Sequence, residues 1–373
     1  MSAARALAQA KRVVVKLGSA QLMDARAGPR LDRFAALAND IADFRAAGRD
    51  IVLVSSGAVA LGRPRLKFSA GEPLTLEQKQ ACAAAGQAKL IQLWDQAFEP
   101  YALPAAQALL NPADTEHRPR WLNARATLAT LIGRGAIPVI NENDTVATQE
   151  LRFGDNDRLA ARTAQICGAD LLILLSDVDG LYTDDPAKPG AEHVGEVGAI
   201  TPEIEAMAGP ARIGGAGTGG MASKIAAAKI AAASGCAMII ARGDAQHPLQ
   251  AIAAGTRASL FHADSDPDTA RRAFITGSLA REGRLILDAG AQAAVRSGKS
   301  LLPAGVVRVD GRFRRGEAVR LCGPDGAAFA AGLAGYDDHE ARAIAGLQTA
   351  KVEAALGYRR GAALVHAGDI VLD

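Results

Sequence analysis

The stretch from Ile137 to Leu159 holds the densest group of side chains that could do chemistry. Its apolar start, residues 137–140, predicts a buried strand, and polar residues follow at once. These polar residues are Asn141, Glu142, Asn143, Asp144, Glu150, Asp155, Asn156 and Asp157. A buried strand that ends in polar residues commonly delivers a site at its carboxyl end. On local grounds alone, a solvated loop with capping Asp and Asn residues is the alternative.

Two lysines lie beside glycine-containing turns that could hold a phosphate. Lys16 follows the β-branched run 13–15 and precedes Gly18, whereas Lys224 lies in the first turn of an alanine-rich helix, after the glycine-rich run 214–220. A lysine in a first turn opposes the helix dipole, so its position is reasonable if an anion shares the site. The run lacks the Gly-x-x-x-x-Gly-Lys-Ser/Thr order of a Walker A loop. Either turn could also be plain surface structure.

Two further predicted strands, 50–54 and 171–175, also end in small or acidic residues. The residues that follow them are Ser55, Ser56 and Gly57 in the first case and Ser176, Asp177 and Asp179 in the second. A serine and a glycine before a helix can present hydroxyl and N–H groups to an anion, or can simply cap the helix. The two aspartates could contact a nucleotide, bind Mg²⁺ through water, or only shape a turn.

The elements that must position these residues alternate along the first two thirds of the chain. Apolar spacing predicts helices at Leu31–Ala47, Leu76–Phe98 (mildly broken at Gly86) and Trp121–Gly133, and strands at Leu103–Leu110 and Ala237–Ala241. Alternating strands and helices predict an α/β fold with a mostly parallel open sheet covered by helices on both faces. In such a sheet the polar strand ends meet at one edge.

The composition changes between His262 and Gly283, which predicts a domain boundary. We therefore expect a catalytic domain at 1–265, a linker at 266–282 and a small, mainly β domain at 283–373. Short strand-like runs at 285–287, 306–309, 318–322, 327–333 and 363–366, separated by Gly, Pro and Asp, support the last of these. This tail also contains Arg308, Arg312, Arg314, Arg315 and Arg320. Such a patch could attract RNA phosphate, although a solvated face is the commoner explanation and Phe313 is the one aromatic residue beside it.

The length, composition and net charge of the chain argue against several other classes of protein. The chain has 373 residues, a 49% hydrophobic composition and a formal net charge of +2, so no global charge indicates nucleic acid or membrane as a partner. Its four cysteines and six histidines have no metal-binding spacing. The widely separated cysteines are typical of buried thiols in a reducing compartment. No apolar run approaches the roughly 20 residues of a membrane span, and no signal peptide is evident, so the cytoplasm is the expected location.

With these stretches in view, the sequence resembles the amino acid kinase family over nearly its whole length. The motifs that carry the resemblance are Val14–Ser19, Ser55–Val59, Val139–Asp144, Phe153–Asp157, Leu175–Tyr182 and Gly217–Lys224. The tail, with Gly283–Ala291 and Arg315–Glu317, resembles the PUA domain that many bacterial members carry. Departures are small: Ser55 and Ser176 stand where threonine is common, and Ala222-Ser223 replaces a Ser/Thr-Thr pair.

The resemblance implies transfer of the γ-phosphoryl group of ATP, with Mg²⁺, to the side-chain carboxylate of L-glutamate, which is the first step of proline biosynthesis. It implies that Lys16 and Lys224 stabilise the phosphoryl group and that Asp157 orients both lysines, while Gly18 and Gly57 supply backbone N–H groups. It assigns glutamate to Ser56, Asp144 and Asn156, with Asp155 and Glu150 as less certain neighbours. It assigns the nucleotide to Lys16, Ser176, Asp177, Thr218, Gly219, Gly220, Met221, Ala222, Ser223 and Lys224. No direct protein ligand to Mg²⁺ is assigned.

The resemblance also implies a homo-oligomer and, as a feedback inhibitor, proline. Two alternatives stay open at this point. Another member of the family could act on N-acetylglutamate, aspartate or UMP instead. The protein could also be an RNA-binding factor built on the tail, with a kinase-like domain that is no longer active, although intact Lys16, Asp157 and Lys224 argue against that.

Overall fold

A computed structural model describes residues 1–24, 28–69, 71–147, 156–209, 220–277, 279–358 and 360–373. These residues form two compact units. The first comprises residues 1–116 and 123–267, and the second comprises residues 117–122 and 268–373.

The strands of the first unit build one large, mostly parallel sheet and two small two-stranded sheets. They are β1 (Arg12–Leu17), β2 (Met23–Asp24), β3 (Gly28–Pro29), β4 (Asp50–Ser55), β5 (Ala105–Leu110), β6 (Ile137–Glu142), β7 (Leu171–Ser176), β8 (Leu181–Tyr182), β9 (His193–Val194), β10 (Glu196–Val197), β11 (Ala237–Arg242) and β12 (Ala258–Phe261). Within the described residues, eight of them lie in the order β10-β12-β11-β7-β1-β4-β6-β5. Among these described strand pairs, only β11–β12 is antiparallel. The predicted fold class is therefore confirmed.

Helices cover both faces of this sheet. They are α1 (Ala3–Gln9), α2 (Ser19–Leu22), α3 (Leu31–Ala46), α4 (Ala58–Arg65), α5 (Leu76–Phe98), α6 (Pro112–Glu116), α7 (Arg118–Gly133), α8 (Asn156–Cys167), α9 (Pro202–Ala206), α10 (Met221–Ala233) and α11 (Pro248–Ala253). Val13 and Val15 on β1 pack in the same core as residues of α3 and α5. The opposite face of β1 carries Val14 and Lys16, and α8 packs on this strand and against α10. The β-branched run is completely buried because helices cover both of its faces.

Helix α5 is continuous through Gly86, so the break expected there is wrong. The glycine instead permits a close crossing of two helices. A Cβ at Gly86 would lie 1.9 Å from Ala58 O in α4, and a Cβ at Gly62 would lie 1.7 Å from Cys82 O in α5. Two glycines facing each other thus let the backbones of α4 and α5 touch.

The second unit is a small, mainly β domain. Its elements are α12 (Pro267–Gly277), β13 (Leu279–Leu287), α13 (Ala289–Arg296), β14 (Val306–Asp310), β15 (Ala318–Cys322), β16 (Ala328–Leu333), α14 (Asp338–Ile344), α15 (Val352–Leu356) and β17 (Ile370–Leu372). The strands form a sheet in the order β14-β13-β15-β16-β17. Its core contains Leu285, Leu321 and Tyr336.

Three details of this unit differ from the patterns in the sequence. The run 363–366 makes only an isolated bridge, between Val365 and Leu301, and the last strand is β17 instead. Helices α13, α14 and α15 lie between the strand-like runs, and the sequence pattern did not single them out. The segment 266–282 contains α12 and the start of β13.

Cys82, Cys167, Cys236 and Cys322 are all buried as free thiols. No helix in the described part of the chain is both long and apolar enough to cross a membrane.

Candidate active site

The carboxyl ends of four parallel strands meet at one edge of the large sheet. Leu17 at the end of β1 is in register with Ser55 of β4 and with Leu175 of β7. Ser176, the last residue of β7, is in register with Arg242 of β11. The polar residues predicted to act together therefore follow neighbouring strands, as a parallel sheet requires.

Lys16, Asp157 and Lys224 form a buried charged cluster at this edge. Lys16 Nζ lies 2.6 Å from Asp157 Oδ1, and Lys224 Nζ lies 2.9 Å from Asp157 Oδ2. The lysine side chains are 13% and 7% exposed and the Asp157 side chain 2%. The three residues come from β1, α8 and α10, so the fold brings together positions that are far apart in the sequence.

The two lysines keep Asp157 ionised. Burial would raise the pKa of this carboxyl, but the charges and hydrogen bonds of Lys16 and Lys224 outweigh burial and lower its pKa. Two ammonium groups and one carboxylate leave one net positive charge at the sheet edge. Such a cluster can stabilise an anion whose charge is redistributed during a reaction.

The turn after β1 is closed by a side chain that the sequence did not single out. Gly18 N–H donates to Gln21 Oε1 at 2.6 Å. We expected this N–H to serve a phosphate, but in the structure Gln21 occupies it because the residue is three positions on, in the first turn of α2. Gly57, the other glycine expected to offer its N–H, has a φ of 118° at the start of α4, a conformation that favours glycine.

Ser56 and Asn156 are held next to each other, with Ser56 N–H donating to Leu17 O at 3.2 Å. Asn156 Nδ2 donates to Ser56 Oγ at 2.6 Å and to Asn141 Oδ1 at 3.2 Å. Asn141 Nδ2 in turn donates to Gln87 Oε1 at 2.9 Å, and Gln87 Nε2 donates to Gln107 Oε1 at 3.1 Å. Asn156 is 5% exposed, and its Oδ1 has no hydrogen-bond partner among the described residues. We call Asn156, Asn141, Gln87 and Gln107 the amide chain.

A cavity of about 370 Å³ lies where α5, β5 and the end of β6 meet. Gln87, Gln107, Glu142 and Asp144 are among its lining residues. Burial, and secondarily the charge of Glu142, raise the pKa of Asp144 to about 7. An acidic group in this environment would gain a great deal from a cationic partner such as an ammonium.

The positions expected to bind nucleotide are placed only in part. Ser176 ends β7 and its Oγ donates to Asp177 Oδ1 at 2.9 Å. Gly220 caps α10, whose first residues are Met221, Ala222 and Ser223. Asp179 shapes its turn, since Tyr182 Oη donates to its Oδ1 at 2.9 Å. Thr218, Gly219, Glu150 and Asp155 lie outside the described residues.

The described residues contain no cluster of three or more His, Cys, Asp and Glu side chains that could hold a metal. Both oxygens of Asp157 face lysines, so its carboxylate is not a ready ligand.

Gln87 and Gln107 are the polar residues of this region that sequence reasoning missed. One signal was available, because Gln87 interrupts the buried stripe of α5 formed by Cys82, Ala83, Gly86 and Leu90. A glutamine that is only 9% exposed within such a stripe needs hydrogen-bond partners.

Two family models match this chain and define its class of protein. Residues 11–242 match the amino acid kinase family and residues 283–356 match the PUA domain. The chain thus has an amino acid kinase domain followed by a PUA domain.

Similar proteins show which branch of this family the chain belongs to. The chain is 54% identical over 369 residues to glutamate 5-kinase of Caulobacter vibrioides (strain NA1000 / CB15N). This alignment covers 97% of each protein. It is 53% identical over 375 residues to glutamate 5-kinase 1 of Rhizobium meliloti (strain 1021), which covers 99% of this chain and 94% of that relative. A carbamate kinase from Giardia lamblia bound to AMP-PNP aligns with a TM-score of 0.49 and 20% identity, over 69% of this chain and 99% of its own. The chain belongs to the amino acid kinase family and, within it, to the glutamate 5-kinases.

Proposed function

We propose that this chain transfers the γ-phosphoryl group of ATP to the side-chain carboxylate of L-glutamate, with Lys16, Asp157 and Lys224 as its catalytic residues. The product is L-glutamyl 5-phosphate, and the reaction is the first step of proline biosynthesis. The observation that carries the assignment of residues is the buried Lys16–Asp157–Lys224 cluster at the carboxyl edge of the sheet.

The reaction needs charge neutralisation more than proton transfer. A carboxylate oxygen of glutamate attacks the γ-phosphorus, the new O–P bond forms, and the bond to the β-phosphate oxygen breaks to release ADP. The nucleophile is already ionised, so no general base is required. Two unit charges about 4 Å apart repel by about 4 kcal/mol at an effective dielectric of 20. Lys16 and Lys224 offset this repulsion, and Asp157 holds both ammonium groups in place.

Glutamate binds through Ser56, Asn156 and Asp144 in this proposal. The described arrangement leaves the Ser56 O–H able to donate to a carboxylate and Asn156 Oδ1 able to accept from an ammonium. Asp144, at the acidic cavity, is a second partner for the ammonium. The nucleotide is assigned to Lys16, Ser176, Asp177 and the stretch 218–224, of which residues 221–224 begin α10. Mg²⁺ would be carried by the phosphate oxygens of ATP and would neutralise part of their charge.

A direct assay tests the function. Purified protein with ATP and Mg²⁺ is given L-glutamate, N-acetylglutamate, L-aspartate or UMP, and hydroxylamine traps any acyl phosphate as a hydroxamate. We expect hydroxamate only with glutamate. Hydroxamate formed only from N-acetylglutamate or aspartate, or ATP consumption only with UMP, would overturn the substrate. We also predict a cytoplasmic location, self-association and inhibition by proline for this chain.

A further inference from the structure

The amide chain connects the proposed glutamate site to the acidic cavity. It starts beside Ser56 and passes from Asn156 through Asn141 and Gln87 to Gln107. These four amides lie on α8, β6, α5 and β5, so each link joins two different elements. Gln107 is exposed, whereas Asn156, Asn141 and Gln87 are buried.

A chain of amides has two possible directions. Each amide has an oxygen that accepts and a nitrogen that donates, so reversing one amide requires its neighbours to reverse as well. In the direction present here, Ser56 Oγ accepts from Asn156, which leaves the Ser56 hydroxyl hydrogen and the acceptor Oδ1 of Asn156 available to a ligand. In the reverse direction, Ser56 would donate to Asn156 and the amide nitrogen of Asn156 would replace its oxygen.

The end of the amide chain at the cavity, Gln107, favours the hydrogen-bond direction that the structure shows. Gln107 Oε1 accepts from Gln87, so the amide nitrogen of Gln107 is the end left for the cavity that Glu142 and Asp144 also line. Reversal would turn an amide oxygen toward two carboxyl groups in a partly buried space. Because like partial charges repel, this orientation is disfavoured.

We infer that Gln87, Gln107 and Asn141 are positioning residues for the acceptor amino acid, because the direction of their hydrogen bonds fixes a donor at Ser56 and an acceptor at Asn156. The inference rests on the proposed function and extends it to residues that do not touch the substrate. It assigns them an effect on glutamate binding and not on the phosphoryl-transfer step.

Gln87→Leu tests the middle of the chain. The variant removes the acceptor of Asn141 Nδ2, so Asn141 and Asn156 can take either orientation. We expect the KM for glutamate to rise at least tenfold, while kcat and the KM for ATP change less than threefold. Gln92→Leu is the matched control, because Gln92 is exposed on the same helix and its side chain accepts from Lys89 Nζ at the surface. Equal effects of the two substitutions would overturn the inference.

Opposite substitutions at exposed Gln107 test the direction itself. Gln107→Glu can accept from Gln87 and so keeps the direction of the chain, although its second oxygen lies in the cavity that Glu142 and Asp144 also line; we expect it to raise the glutamate KM less than Gln107→Lys does. Gln107→Lys can only donate, so it reverses every link, and we expect the KM to rise at least tenfold. Glutamate carries a net negative charge, so simple attraction predicts the opposite order for the two variants. That opposite order would overturn the inference.

A double-mutant cycle separates this effect from pairing of a new lysine with Glu142 or Asp144. In the Gln87→Leu background the chain is already broken, so Gln107→Lys should change the KM less than twofold. If Gln107→Lys raised the glutamate KM by the same factor in that background, the lysine would act through the cavity. The proposed positioning role of the amide chain would then be refuted. An original protein that uses another acceptor would refute the proposed function, whereas an original that uses glutamate with unaffected variants would refute only the inference.

Discussion

The ammonium of Lys16 lies 2.6 Å from Asp157 Oδ1, although the two residues are separated by 141 positions (157 minus 16) in the chain. Lys224 occupies the other oxygen of the same carboxylate. The carboxylate of Asp157 thus holds the two ammonium groups at a fixed separation. Without this carboxylate, the two like charges would repel each other. The cluster holds both ammonium groups in a defined geometry, as electrostatic stabilisation of a transition state requires.

Replacing either lysine should reduce turnover far more than nucleotide binding. We expect Lys16→Met and Lys224→Met each to lower kcat by about 10²- to 10³-fold, the usual loss when one preorganised donor to a transition state is removed. The KM for ATP should change much less. Initial rates in the hydroxamate assay, with both substrates varied, measure this. Lys229→Met on the same helix, whose partner is Glu205 at the surface, is the control. Near-normal turnover in both site variants would exclude the proposed role.

The sheet could be predicted from the sequence because buried strand runs are local patterns, whereas the pairing of Asp157 with Lys16 and Lys224 was implied only by the family resemblance. Buried strand runs ending in polar residues identified Lys16 and Asp157, and the glycine-rich run identified Lys224. The partnership of Gln87 with Asn141 could not be predicted in the same way. It depends on how α5 lies across β5 and β6, and a glutamine gives no local signal of its partners. The hydrogen bond from Gly18 N–H to Gln21 Oε1 could not be predicted either, since only the fold shows that the Gln21 side chain turns back.

Gly86→Ala should strongly destabilise the first unit. A Cβ there would lie 1.9 Å from Ala58 O, so α4 and α5 would have to move apart. We expect a loss of about 2–3 kcal/mol in the free energy of unfolding, as is typical for overpacking a buried contact. Gly133→Ala is the control, since a Cβ at Gly133 would meet no described atom within 4 Å. Chemical denaturation of the two variants should give opposite or clearly unequal shifts, and equal midpoints would contradict the close crossing.

The first unit should work without the second if the chain is cut at the right residue. We propose residue 267 as the last residue, because residues 268–373, with most of α12 and all of β13, belong to the second unit. The product keeps residues 117–122, which also belong to the second unit and of which 118–122 begin α7. A product ending at 282 would keep Leu279 without Ala318, its partner in β15. We expect residues 1–267 to retain kcat within about threefold. Size-exclusion chromatography should show more aggregation for 1–282, and a better-behaved 1–282 would move the boundary.

The pH dependence of glutamate use should report Asp144, whose pKa is raised to about 7 by burial and by Glu142. Ionised Asp144 is the form that can pair with an ammonium, so protonation below pH 7 should weaken binding. For a pKa of about 7, kcat/KM for glutamate should fall about tenfold between pH 8 and pH 6. In Asp144→Asn the value should be lower at every pH and this decline should flatten. The same decline in the variant would assign the titration to another group.

Stability should respond to the same group with a defined sign. The pKa of Asp144 is higher in the folded protein than its usual 3.8, so the folded state holds the proton more tightly than the unfolded state. Ionisation therefore penalises the folded state, and the contribution of Asp144 to stability falls as pH rises from about 4 to about 7. Asp144→Asn removes this penalty, so its free energy of unfolding relative to the original should increase by about 2 kcal/mol between pH 5.5 and pH 8. Urea denaturation of both proteins at the two pH values measures the difference. A relative stability that does not change with pH would mean that Asp144 titrates at its ordinary pKa.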